Sequence, residues 1–143
     1  MGKDNILFSM AGVKMWIDDD IPCLINEWDG FITSDNFKKA IRKLVSLLGE
    51  YSGEYGKLNM LADTRNLAVI STKDLDWVNT EINSQYVKNG ASYEAFVIPE
   101  DAFGKNSVKK YVEMSTSEGV FTAKYFASIE EAKSWLQEVH NDK

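Results

Sequence analysis

Four consecutive residues, Asp63-Thr64-Arg65-Asn66, put a carboxylate, a hydroxyl, a guanidinium and a carboxamide directly after the apolar run Leu58–Ala62. Such a set at a strand end can hold a polar ligand or a partner, since a carboxylate accepts and a guanidinium donates in a rigid fork. The competing arrangement leaves Asp63 accepting from nearby backbone amides, with Arg65 in solvent or paired with an acid. Trp77 lies near the start of a helical pattern whose inner face is Leu75, Val78 and Ile82. Off the centre of that face, it covers the sheet rim or lines a groove beside it. Asp63, Thr64, Arg65, Asn66 and Trp77 are therefore the candidate partner- or ligand-binding residues.

Other chemistry finds little support. His140 is the single histidine and belongs to the end of the last helix, where a solvent-facing side chain is expected. A Ser-His-Asp or Cys-His arrangement thus lacks a base. The single cysteine, Cys23, sits in the apolar run Ile21–Ile25 and is expected as a buried structural thiol. Zinc sites draw on several Cys and His ligands. Asp18-Asp19-Asp20 offers hard-cation ligands without the glycine and terminal glutamate of a calcium loop, and is expected as a solvated turn. Gly49, Gly53 and Gly56 match neither the dinucleotide fingerprint nor the phosphate-binding loop. No catalytic residue, metal or cofactor is expected, and no enzyme.

A chain of 143 residues, 44% hydrophobic and 27% charged, is long enough for one domain with a real core. Its net charge of −6 speaks against binding a phosphate backbone, which needs a concentrated cationic surface. Lys105, Lys109 and Lys110 are expected on a solvated helix face. No apolar stretch approaches the ~20 residues of a membrane span. Met1–Asn5 lacks the basic start of a signal peptide. With a lone cysteine, the expected location is cytoplasmic.

These side chains must be positioned by alternating strands and helices. Asn5–Ala11, Val13–Ile17 and Ile21–Trp28 predict an opening hairpin, with Pro22 at a strand start or edge. Phe37, Ala40, Ile41, Leu44, Val45 and Leu48 recur at helical spacing after a Thr33 or Ser34 cap, with Gly49 as the stop. Lys57–Ala62 predicts a buried strand ending at Asp63, with Leu67–Ile70 as a core-packed loop or short extension. Ser71 or Thr72 caps a second helix ending at Asn89-Gly90, and Tyr93–Ile98 is another buried strand closed by Pro99. Ser107–Ser115 predicts a third helix and Gly119–Phe126 a last strand. Ser128 and Glu131 form a capping box for a final helix with the stripe Ala132, Trp135, Leu136 and Val139. Trp16 and Trp28 are expected to pack at the sheet edge. The expected fold is α/β, residues 1–143 forming one domain around a single mixed, mostly parallel sheet with flanking helices and an N-terminal hairpin.

Leu61-Ala62-Asp63, Asp76-Trp77, Ala95-Phe96-Val97-Ile98 and the tail from Phe126 to Leu136 carry a resemblance. Together with the order of elements they resemble the SpoIIAA-like domains, grouped with the STAS and Sec14 (CRAL-TRIO) folds. That tail is similar to the family's closing F-x-[DS]-x-x-E-A-x-x-W-L. The STAS anti-sigma-factor antagonists carry Asp-Ser-Ser-Gly after the central strand, the second serine being the phosphorylation switch. Asp63-Thr64-Arg65-Asn66 stands there in this chain, and Arg65 replaces that serine. The resemblance therefore implies a branch without the phosphoserine switch. It implies a non-enzymatic cytoplasmic protein-interaction or regulatory module, docking through Asp63–Leu67 and the second helix. The Sec14 side implies an alternative, a carrier for a small apolar ligand or lipid with a pocket of at least ~300 Å³. Exposed edge strands leave room for a homodimer. Ligands of open α/β sheets gather beyond the carboxyl ends of the strands, a rim formed here by Asp63–Asn66, Pro99–Phe103 and the helix starts at Thr72 and Ser107.

Overall fold

The computed structural model describes residues 5–68, 70–98 and 121–141. The expected third helix, Pro99–Phe103 and the lysines at 105, 109 and 110 lie outside the described residues. Six strands form one sheet in the order β1 (Phe8–Met10), β2 (Val13–Asp18), β3 (Cys23–Gly30), β4 (Asn59–Leu67), β5 (Tyr93–Val97) and β6 (Thr122–Phe126). The first three pair antiparallel, as the expected hairpin requires, and β3 through β6 run parallel.

Alternation along the strands divides the core in two. On one face Val13, Met15, Leu24, Trp28, Met60, Ala62 and Phe96 meet the inner stripe of α1 (Ser34–Tyr55), with Phe37, Ile41, Leu44 and Leu48. On the other, Ile25, Leu61, Ala95 and Val97 meet Ala132 and Leu136 of the final helix, α4 (Ile129–Asn141). Of the expected capping box the Ser128 half is present, the Glu131 amide donating to Ser128 Oγ at 3.2 Å. Trp135 packs on Phe126 and edge-on to Tyr93.

Three expectations are corrected. Gly49 does not stop α1, which runs through Gly49 and Gly53 to a cap at Gly56, φ 79°. Summed over 22 residues, good helix formers and a buried stripe outweigh two interior glycines. β4 does not end at Asp63. After a bulge between Glu27 and Asp29, pairing resumes with Asn66 opposite Asp29 and Leu67 opposite Gly30. Trp28 is not at the sheet edge but in the core, 3% exposed, because β3 lies inside the sheet.

The second helical segment starts, as expected, at a Ser71 cap on the Asp74 amide. It comprises α2 (Thr72–Trp77), a π-helical turn (Val78–Ile82) and α3 (Asn83–Lys88). Within it the Asn83 amide donates to the Val78 carbonyl. Val78, Ile82 and Tyr86 stay buried across the junction. Asn59 fastens the opposite sheet end, its Oδ1 accepting from the Ser92 and Tyr93 amides at 2.9 and 3.1 Å.

Candidate functional site

Because Asp63 to Asn66 continue a strand, their side chains alternate between the two faces instead of converging. Asp63 and Arg65 share the α4 face. Arg65 Nε donates to Asp63 Oδ1 at 2.9 Å and Nη2 to Oδ2 at 2.8 Å, a bidentate pair. The Asp63 side chain is 9% exposed and that of Arg65 47%. Glu27 on β3 and Glu130 on α4 add to the field that, led by the Asp63 hydrogen bond, holds the Arg65 guanidinium above its usual range. Thr64 points the other way, buried, with Oγ1 donating to the Val97 carbonyl at 2.8 Å. Asn66 is exposed at the strand end.

Trp77 lies on the helical side of the sheet, half-buried, its ring edge-on to Phe37 at 6.5 Å. Lys38 and Arg42 of α1 lie over that ring, 5.5 and 5.2 Å from its centre. Trp77 and Arg65 are therefore separated by the sheet, and the five candidate residues do not form one cluster.

Between the sheet and helices α1 to α3, beneath the carboxyl ends of β3 and β4, lies a cavity. Trp28, Phe37, Phe96 and Leu75 wall it, and Leu67, Ala68 and Ile70 stand at the connection to α2. It is partly open to solvent, with a volume of about 60 Å³. That volume falls short of the ~300 Å³ expected for a lipid pocket.

Polar groups in this wall are few. Trp28 Nε1 donates to Asn26 Oδ1 at 2.6 Å, and Asn26 Nδ2 donates to the Leu61 carbonyl at 3.2 Å. Glu94 on β5 lines the cavity on the same strand face as Phe96, 4% exposed. Among the described residues none hydrogen-bonds its carboxyl group. Desolvation raises the Glu94 pKa from 4.5 to about 8, so the group is mostly protonated at pH 7. One signal for Glu94 was present in the sequence. In Tyr93-Glu94-Ala95-Phe96 the acid shares strand parity with an inward Phe.

The remaining polar residues are placed as follows. Burial pushes the Cys23 thiol well above its ordinary value, the environment of an inert thiol. Asp18 pairs with Lys133 of α4 at 2.8 Å, and Asp19 accepts from Tyr55 at 2.6 Å, so the acidic turn is tied to two helices. His140 is partly buried rather than solvent-facing, its Nδ1 without a hydrogen bond. Among the described residues no group of three or more Cys, His, Asp and Glu could hold a metal ion. Nor is any described helix long and apolar enough to cross a membrane.

Comparison with known proteins agrees with this architecture. The SpoIIAA-like family model matches residues 24–137. A solved structure similar to this chain is an uncharacterized protein from the DUF3478 family with a SpoIIAA-like fold, from Shewanella loihica PV-4. It aligns with a TM-score of 0.60 over 95% of this chain and 98% of its own, at 15% identity. At that identity the likeness concerns the fold. No curated protein matches the chain.

Proposed function

Because the chain belongs to the SpoIIAA-like family, we propose that it is a non-enzymatic, cytoplasmic protein-interaction or regulatory module that works without a phosphoserine switch. Its docking surface is the carboxyl end of β3 and β4. The observation carrying this reading is Phe31, 76% exposed and directly after β3, at the sheet end where Arg65 and Asn66 are also exposed. Covering a Phe side chain is worth roughly 1.5–3 kcal/mol, enough to anchor a contact. The neighbouring Arg65 is already oriented by Asp63, so less side-chain entropy is lost when its free N–H groups meet a partner carboxylate or carbonyl.

The test is affinity capture from the native cell with quantified stoichiometry, repeated with Phe31→Ala, Arg65→Glu and, as a control on α3, Lys88→Glu. A stoichiometric partner held by the wild type and the control but lost by both rim variants supports the surface. Equal capture by all four proteins moves the interface elsewhere, and no stoichiometric partner for the wild type removes the reading.

A further inference from the structure

The cavity beneath α1 and α2 presents an imbalance between donors and acceptors. The indole N–H of Trp28 is engaged by Asn26, the Thr64 hydroxyl hydrogen by the Val97 carbonyl, and one Asn26 amide hydrogen by the Leu61 carbonyl. Oxygen lone pairs remain, chiefly on the Glu94 carboxyl group, which has no hydrogen-bond partner among the described residues. Such a group deep in an apolar wall is costly unless something donates to it. The wall itself offers no cation: Tyr86 of α3 is the only other titratable side chain among the described lining residues. Aromatic rings favour a positive charge over their faces, and Trp28, Phe37 and Phe96 line the cavity.

We infer that this cavity is a binding site for a compact primary amine, whose ammonium head reaches Glu94 while its apolar body fills the mouth beside Ala68 and Leu75. The cavity volume of about 60 Å³ limits the ligand to a small one, and the opening lets part of it reach solvent. The net charge of −6 favours approach of a cation. No covalent bond to the ligand forms: the Glu94 O–H bond breaks, its proton passes to water, and the resulting carboxylate pairs with the entering ammonium.

Calorimetric titration of the full chain with n-butylamine, and with 1-butanol as a match in shape without the charge, tests the site. Wild-type protein at pH 9 is expected to bind the amine saturably, with the alcohol at least ~10-fold weaker. Because the carboxyl group must ionise to meet the ammonium, amine affinity falls by about tenfold for each pH unit below its pKa. Glu94→Gln, nearly the same shape, should lose at least ~10-fold in amine affinity and lose this pH dependence. Ala68→Trp, at an exposed lining position, should block the mouth with the melting temperature unchanged, which keeps the test valid if Glu94→Gln folds poorly. Equal binding of amine and alcohol, amine binding untouched by either variant, or a crystal soaked in n-butylamine with only ordered water beside Glu94 would overturn the inference. None of these outcomes bears on the Phe31 surface.

Discussion

Ser34 Oγ donates to Asp74 Oδ1 at 2.7 Å, joining the first residue of α1 to the first turn of α2. Asp74 is 6% exposed although its side chain is polar, and Ser34 donates to it from across the helix pair. A carboxylate in the first helical turn also gains from the helix dipole. The bond therefore closes α1 onto α2 near the end where the cavity opens. Ser34→Ala should destabilise the protein by about 1–3 kcal/mol, the cost of leaving a buried acceptor without its donor. Equilibrium urea unfolding measures it, and a change within experimental error would mean that water replaces the serine.

The Asp63–Arg65 pair predicts an asymmetry. Removing the half-exposed partner, Arg65→Ala, strands a carboxylate whose side chain is 9% exposed, with only the Arg65 amide still donating to it at 3.3 Å. Removing the acid, Asp63→Ala, leaves a guanidinium that water can solvate. Arg65→Ala is therefore expected to cost about 1–3 kcal/mol, and Asp63→Ala less, ~1 kcal/mol or under. The two single variants compared by urea unfolding decide it; a larger loss for Asp63→Ala would mean that the guanidinium depends on the pair more than its exposure implies.

A glycine inside α1 and the one that caps it should respond in opposite directions. A Cβ at Gly53 meets nothing within 4 Å on an exposed turn of α1, so Gly53→Ala should stabilise by about 0.5–1 kcal/mol. Gly56 also has open space, but its φ of +79° is strained for an L side chain, and Gly56→Ala should destabilise by ~1 kcal/mol. Thermal melting of both variants reads the signs directly. Stabilisation by both would mean that the C-terminal turn can relax.

How far the sequence reached is clearest around β4. Its buried half was legible, because Leu58–Ala62 is a short apolar run followed by polar residues, and so were the hairpin, the Ser71 and Ser128 caps and the α1 stripe. The continuation through Asp63–Leu67 was not, since it depends on a bulge in β3 and pairing with Asp29 and Gly30, both non-local. That one error of extent changed the site. A turn would gather Asp63, Thr64 and Arg65, whereas a strand sends Thr64 to the opposite face. The same limit applied at Gly49, where a local stop signal was outweighed by packing farther along the helix. Glu94 lies in a run legible only as a buried strand, Tyr93–Ile98; the sheet alone reveals what faces it.

Burial of Glu94 makes stability depend on pH in the sense opposite to that of a salt-bridged acid. An unfolded Glu titrates at about 4.3, whereas the folded group is raised to about 8 by desolvation. Between those values the native state keeps a proton that the unfolded chain has released. The contribution is thus fully present below the unfolded pKa, declines as pH rises, and is gone above the folded one, with a limiting slope of about 1.4 kcal/mol per pH unit. Other carboxylates act on the same profile, so the quantity to measure is the difference between wild type and Glu94→Gln, followed by urea unfolding from pH 4 to 9. Glutamine carries no ionisation penalty, and its advantage should grow steadily from pH 5 to 8 and level off beyond. A difference that stays constant across this range would mean that Glu94 titrates alike in both states, with water or a donor already at its carboxyl group.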